Sequence, residues 1–231
     1  MSSEKYYLAI RLIGPFQSWG FDSQYNRRNT GLMPTKSAIA GMCCAAFGYN
    51  RGCEEEKEFL VKFVKLQMTA IAIPRILKRQ VYSEEKKLEL KVCRMQDYHT
   101  VENTRDAKGN MKKHAILTNR QYLTDASFGI ILEGKKEFLQ EIAKQLIDPV
   151  WGIWLGRKTC VPTAPVFAGL KGSKDEALEL LGINSIGKYT SQIEVDVFAE
   201  GRDSISDNPI SFESDKRKFS PRRIKTEMAH F

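Results

Sequence analysis

The sequence predicts an α+β fold with a ferredoxin-like order of elements, and three observations carry that expectation. Segments with strand or helix spacing succeed one another as strand, helix, strand, strand, helix, strand. Between the second and third strands, residues 75–120 turn charged and polar, which marks an insertion away from the core. Beyond residue 168 the pattern changes again, to a short helix, a strand and a basic run. The chain therefore divides into a palm (1–74 and 121–168), an inserted arm (75–120) and a small β-rich C-terminal extension with a basic tail (169–231).

The first strand is Tyr6 to Ile13, rich in aromatic and branched residues and stopped by Gly14-Pro15. After a polar loop, Thr35 caps a helix through KSAIAGMCCAAF. Pro34 biases Met33 to extended geometry, and Gly48 suits the left-handed residue past the helix end. That helix is apolar almost all round, so it is expected to be buried. EEEKEFLVKFV (54–64) sets Phe59, Leu60, Phe63 and Val64 at helical spacing behind an acidic first turn, and KLQMTAIAIP (65–74) is a second strand closed by Pro74. Inside the insertion, DAKGN (106–110) signals a turn, so the arm reads as hairpin-like. DASFGIILEG (125–134) is the third strand. In KKEFLQEIAKQLID, residues Phe138, Leu139, Ile142, Ala143, Leu146 and Ile147 form one apolar stripe. WGIWLG (151–156) is expected as the fourth strand, DEALELLG as a short helix and QIEVDVFA as a further strand. The tail KRKFSPRRIK (216–225) holds 6 Lys or Arg in 10 positions.

A chain of 231 residues with 42% hydrophobic content buries a real core. Its charge of +8 and pI near 9.2 bias the partners toward phosphate-rich surfaces. Cysteines at 43, 44, 53, 93 and 160 form no CxxC pair and suit reduced thiols in the cytoplasm. With three histidines (His99, His114, His230) and no HxH or HExxH spacing, neither a metal nor a cofactor is expected, nor a small-molecule substrate. The start MSSEKYYLAIRLIG lacks a signal-peptide n-region, and the longest apolar stretch, Ala38 to Tyr49, is 12 residues, so no membrane association is expected. The RNA-recognition signature on strands is missing from DASFGIILEG, so any RNA should be held by loops and the arm.

Three glycine-marked loops are candidates: GPFQSWG with NRRNTG, the PTKS helix start, and GRKTCVPTAP. At the helix start, unpaired NH groups join the Thr35 and Ser37 hydroxyls and the Lys36 ammonium. That is the chemistry of a phosphate site, or simply of a capped helix. Arg27, Arg28, Arg157 and Lys158 add four cations beside loops that can approach a nucleic-acid backbone, and the same residues read equally as solvated surface charge. Gln17 offers an amide to a base edge and Trp19 a ring for stacking, the alternative being a tryptophan lid on the core. His99, next to Tyr98 and near Asp97, admits a general-base role in RNA cleavage, a structural hydrogen bond or a contact with a ligand.

Taken together, RLIGPFQSWG, RRNTG, PTKSAIAGMCCAAFG, DYHTV, RQYLTDASF and WLGRKTCVPTAPVF, in order between residues 8 and 167, resemble the CasD-type subunits of the type I-E CRISPR surveillance complex Cascade. The resemblance implies a modified ferredoxin-like palm with a thumb at 75–120. It implies a non-catalytic RNA-binding subunit that grips the repeat-derived 5′ tag of the crRNA and touches the large subunit and the first backbone subunit. By matching position it puts Gln17, Trp19, Arg28, Thr30, Lys36 and Ser37 on the RNA side of the palm. Tyr98, His99 and Thr100 fall in the thumb, and Arg157 and Lys158 in a Gly-Arg-basic loop; Arg27 lies next to Arg28. A lysine at position 36 would make a phosphate contact there a point-charge one rather than a bidentate grip. In the related type I-C branch the subunit cuts precursor RNA without metal, which keeps Tyr98, His99 and Lys158 as acid–base candidates for an alternative enzymatic role. The last 60 or so residues, with the tail at 216–225, lie outside this resemblance.

Overall fold

The computed structural model describes residues 5–81, 84–106, 108–112, 114–184, 187–201 and 203–230. The chain starts with β1 (Lys5–Ile13), the two-residue strands β2 (Phe16–Gln17), β3 (Trp19–Gly20), β4 (Arg27–Arg28) and β5 (Thr30–Gly31), helices α1 (Lys36–Phe47) and α2 (Glu54–Phe63), and β6 (Gln67–Ala72). Four strands follow: β7 (Arg75–Val81), β8 (Glu84–Leu90), β9 (Cys93–Val101) and β10 (Ile116–Thr124). The rest is β11 (Ser127–Lys135), α3 (Lys136–Ile147), β12 (Phe167–Lys171), α4 (Lys174–Glu179), β13 (Tyr189–Glu194), β14 (Asp203–Ser211) and β15 (Lys218–Ala229). The fold is thus mixed α/β, mostly strand. None of the described helices is long and apolar enough to cross a membrane.

One seven-stranded sheet, ordered β12-β1-β11-β6-β13-β15-β14, organises the molecule, and its neighbouring strands are antiparallel throughout. Because side chains alternate along a strand, β1 sends Leu8, Ile10 and Leu12 to one face and Ala9 to the other. The first face is covered by α1, α2 and α3 through Ile39, Cys43, Phe59, Phe63, Leu139 and Ile142. On the second face, Ala177 and Leu178 of α4 meet Ala9, Ile71 and Ile131. Helix α1 begins as expected, with the Thr35 hydroxyl accepting from the Ala38 NH, and ends at Gly48 in the left-handed region at φ 75°.

Two expectations are corrected. WGIWLG is a loop, not a strand: Gly156 sits at φ +96°, which no strand permits, and Val150 and Trp151 donate their NH groups to Ala46 and Ala45 at the end of α1. The strand beside β1 is instead β12, whose residues are all half-buried and carry no alternation to read. The basic run at 216–225 is no tail either, since most of it is β15, held between β13 and β14. Its period of two is real, with Arg222 and Ile224 buried and Arg223 and Lys225 exposed, but one of the buried members is an arginine.

The insertion is built from strands. β7 and β8 pair with each other, whereas β9 pairs with β10, which also borders β2 and β4. In the DAKGN turn, Asp106 accepts from the NH groups of Lys108 and Asn110 at 2.8 and 2.9 Å. Ala107 of that turn, like residues 1–4 of the chain start, lies outside the described residues.

Candidate nucleic-acid interface

At the end of β1 one side chain ties together backbone carbonyls of two neighbouring segments. Gln17 does this: its buried amide donates to Leu12 O at 3.0 Å and Ala126 O at 2.8 Å, and its oxygen accepts from the Trp19 indole at 3.2 Å. Trp19 is buried edge-on to Phe128, with ring centroids 6.4 Å apart. Thr30 is buried too, its hydroxyl accepting from the Trp19 NH at 2.8 Å. The expectation that Gln17, Trp19 and Thr30 face a ligand is therefore corrected. The Gly-Pro break serves a sealed polar strand end.

Lys36 is corrected for a related reason. Its ammonium is fully buried and donates to Val64 O (3.0 Å), Leu66 O (2.7 Å) and both carboxylate oxygens of Glu194 (2.8 and 2.9 Å). Burial lowers its pKa from the ordinary lysine value, opposed by Glu194. Its backbone NH donates to Asp207 Oδ2 at 2.7 Å, and Asp207 is gripped by Arg222 at 2.6 and 3.0 Å. The start of α1 thus already holds a carboxylate, which takes the place a phosphate would need.

What the three glycine-marked loops do form together is a groove. A first cleft of about 860 Å³ is lined by Ser18, Phe21, Arg28, Ser37, Arg157 and Arg217, among others. A second, of about 470 Å³, adds Tyr49, Arg51, Trp151, Trp154 and Lys158. The two share the walls Ser37, Ala38, Gly156, Phe212 and Arg217. Close approach of the loops depends on Gly156, where a Cβ would fall 1.7 Å from Ser18 O. Along this groove Arg28, Arg51, Arg157, Lys158 and Arg217 have no carboxylate within ion-pair distance among the described residues. Arg157 donates to Arg28 O at 2.7 Å and lies 4.7 Å over the Tyr122 ring, while its buried Nη1 has no hydrogen-bond partner. Lys158 sits 5.8 Å over Trp154, and Arg217 5.7 and 5.8 Å over Phe212 and Phe219. The arrangement suits an extended polyanion.

The arm residues stand apart from the groove. Strand register puts Arg27, Asn119 and Tyr98 in one row, and Arg28, Arg120 and Asp97 in the next. Tyr98 and Thr100 therefore share the face of Arg27, whereas His99 lies on the opposite face, bonded to Asp97. None of the three lines either cleft.

Sequence reasoning missed several residues. Phe21 and Tyr25 are 55% and 91% exposed beside the Arg27-Arg28 pair, and Tyr25 holds a strained φ of 48°. Two aromatics in a polar loop were the available signal. The sequence pattern puts Trp151 and Trp154 in a strand and Arg217 in a tail, and gives Arg51 no local mark.

The family model described as CRISPR-associated protein (Cas_Cas5) matches residues 7–225. This chain belongs to that family, and the match runs through the C-terminal strands, past the point where the motif resemblance stops. The CRISPR system Cascade subunit CasD of Escherichia coli (strain K12) is 30% identical over 185 residues, 78% of each chain. A solved chain of a CRISPR RNA-guided surveillance complex superposes with a TM-score of 0.73 at 24% identity, covering 97% of this chain and 90% of its own. A second, titled crystal structure of Cas protein, gives 0.65 at 26% identity, with 97% and 95% covered.

Proposed function

We propose that this chain is a non-catalytic subunit of a Cascade-type complex, holding the 5′ repeat-derived tag of the crRNA in the basic groove and capping one end of the backbone in antiviral defence. The observation that carries it is the row of five cations along two joined clefts, none of which has an ion-pair partner among the described residues although Asp22, Asp207 and Glu56 also line the walls. A single RNA strand supplies the missing charge, and exposed Phe21 and Tyr25 offer rings to its bases. Membership of the Cas5 family and likeness to CasD support the assignment, with the large subunit and first backbone subunit as partners. Five free cysteines agree with the cytoplasm. In this reading β12-β1-β11-β6 with α1 and α3 form a ferredoxin-like palm, and β7 to β10 the thumb.

Removing phosphate contacts should change the salt dependence of binding. For the triple variant Arg28→Ala, Arg157→Ala, Arg217→Ala, the slope of log K against log salt on tag RNA should become shallower by about 0.7 per lost contact, roughly 2 in all. Filter binding across a salt series measures it, and an unchanged slope with unchanged retention defeats the RNA reading.

The non-catalytic part of the proposal rests on geometry. His99 is engaged by Asp97, Tyr98 lies on the other face of β9, and neither lines a cleft whereas Lys158 lines the second, which favours binding over cleavage by these three candidates. Purified protein incubated with repeat RNA in EDTA should leave it intact. A His99-dependent product bearing the 5′ tag would instead establish the metal-independent endoribonuclease.

A further inference from the structure

The second cleft differs in kind from the first. Its sides are aromatic, with Trp151 and Trp154 from the loop after α3 and Phe212 after β14. Its floor is α1, where Ala38, Gly41 and Ala45 fall on one face. Gly41 has no evident structural reason to be glycine. Inside a helix glycine is less stable than alanine, and a Cβ here would meet only the Phe212 ring, at an ordinary 3.8 and 3.9 Å. The Trp154 ring, by contrast, is held close against the chain, since a Cβ on Gly152 would come within 2.9 Å of it. The lining also carries three cations, Arg51, Lys158 and Arg217, against one carboxylate, the buried Glu56, and about 470 Å³ is a usual size for a small-ligand site, roughly 300–1,000 Å³.

Open floor, aromatic sides and cations in the lining fit a flat ring that carries its negative charge outside the cavity. We propose that this cleft is a slot for a single unstacked nucleobase, with Arg217, on the wall common to both clefts, holding the phosphate that links it to the strand in the first. The proposal rests on the RNA reading above and adds a base-binding site to it. Trp154 supplies the stacking surface, and Gly41 the clearance.

The test uses the full-length protein and tag RNA in which one nucleotide at a time is abasic. One position should bind wild-type protein about tenfold more weakly when its base is missing. Trp154→Ala should lose about tenfold on intact RNA and nothing further on that abasic RNA. Gly41→Leu, which fills the floor with a good helix former, should show the same loss while its melting temperature stays at or above wild type. Intact RNA held tightly with a flat abasic scan, or with both variants binding as wild type, overturns the slot and leaves the RNA groove standing. Additive losses from Trp154→Ala and the abasic position overturn it as well. Wild-type protein that retains no RNA at low salt overturns both readings.

Discussion

Lys36→Met is expected to lower the unfolding free energy by about 3–5 kcal/mol, the usual consequence of removing one partner from a buried ion pair. Methionine keeps the length and apolar stem of lysine but none of its donors. Val64 O and Leu66 O lose the Lys36 ammonium as their donor, and Glu194, 13% exposed at its side chain, keeps Met68 NH at 3.1 Å and Arg222 at 3.8 Å. The helix start itself should survive, because the bond from the Lys36 NH to Asp207 is a backbone contact. Urea denaturation measures the loss. Adding Glu194→Leu should recover much of it, since a pair replaced whole by apolar groups costs far less than a pair broken. A loss below about 1 kcal/mol would mean that Lys36 behaves as a surface lysine, and would return the helix start to the list of phosphate sites.

Lys36 also shows where sequence reading reaches its limit. Its neighbours Thr35 and Gly48 announced the helix correctly because caps are local. β1, β6, β11, α2 and α3 were legible for the same reason: their periodicity is contained in their own residues. Whether a polar side chain at a strand end faces solvent is not local information. Gln17 is sealed by Ala126, 109 residues away, and Lys36 by Glu194, 158 residues away. Both looked like ligand groups for want of a visible partner. β15 fails in the opposite way, since a buried arginine with an acidic partner, Arg222 on Asp207, reads as surface charge.

That burial redirects the chemistry of the groove. With Asp207 seated at the start of α1, an anion can gain little from the helix NH groups. Affinity must then come from guanidinium and ammonium groups carried on loops. The loops were recognisable from their glycines, and the structure brings them together with Phe212 and Arg217 of the C-terminal part. A site assembled this way depends on how closely the loops approach one another, so its weakest point is backbone rather than charge.

Gly156→Ala tests that dependence. The residue sits at φ +96°, and an alanine Cβ would lie 1.7 Å from Ser18 O and 2.8 Å from Ser18 C, both backbone atoms that cannot swing aside. Strained φ contributes roughly 1–3 kcal/mol and overpacking roughly 1–3 more, so a destabilisation of about 2–6 kcal/mol is expected. Part of that strain can be relieved by separating the two loops, which breaks the bond from Ser18 NH to Leu155 O at 3.0 Å and withdraws Arg157 from Arg28 O. Tag RNA should therefore bind more weakly even at temperatures where the variant remains folded. Gly20→Ala is the matched control: it lies on the same groove, its added Cβ meets nothing within 4 Å, and its φ is not left-handed. Its stability should change by less than about 1 kcal/mol. If the two variants melt together, Gly156 does not hold the loops in contact, and the groove must owe its shape to something other than this close approach.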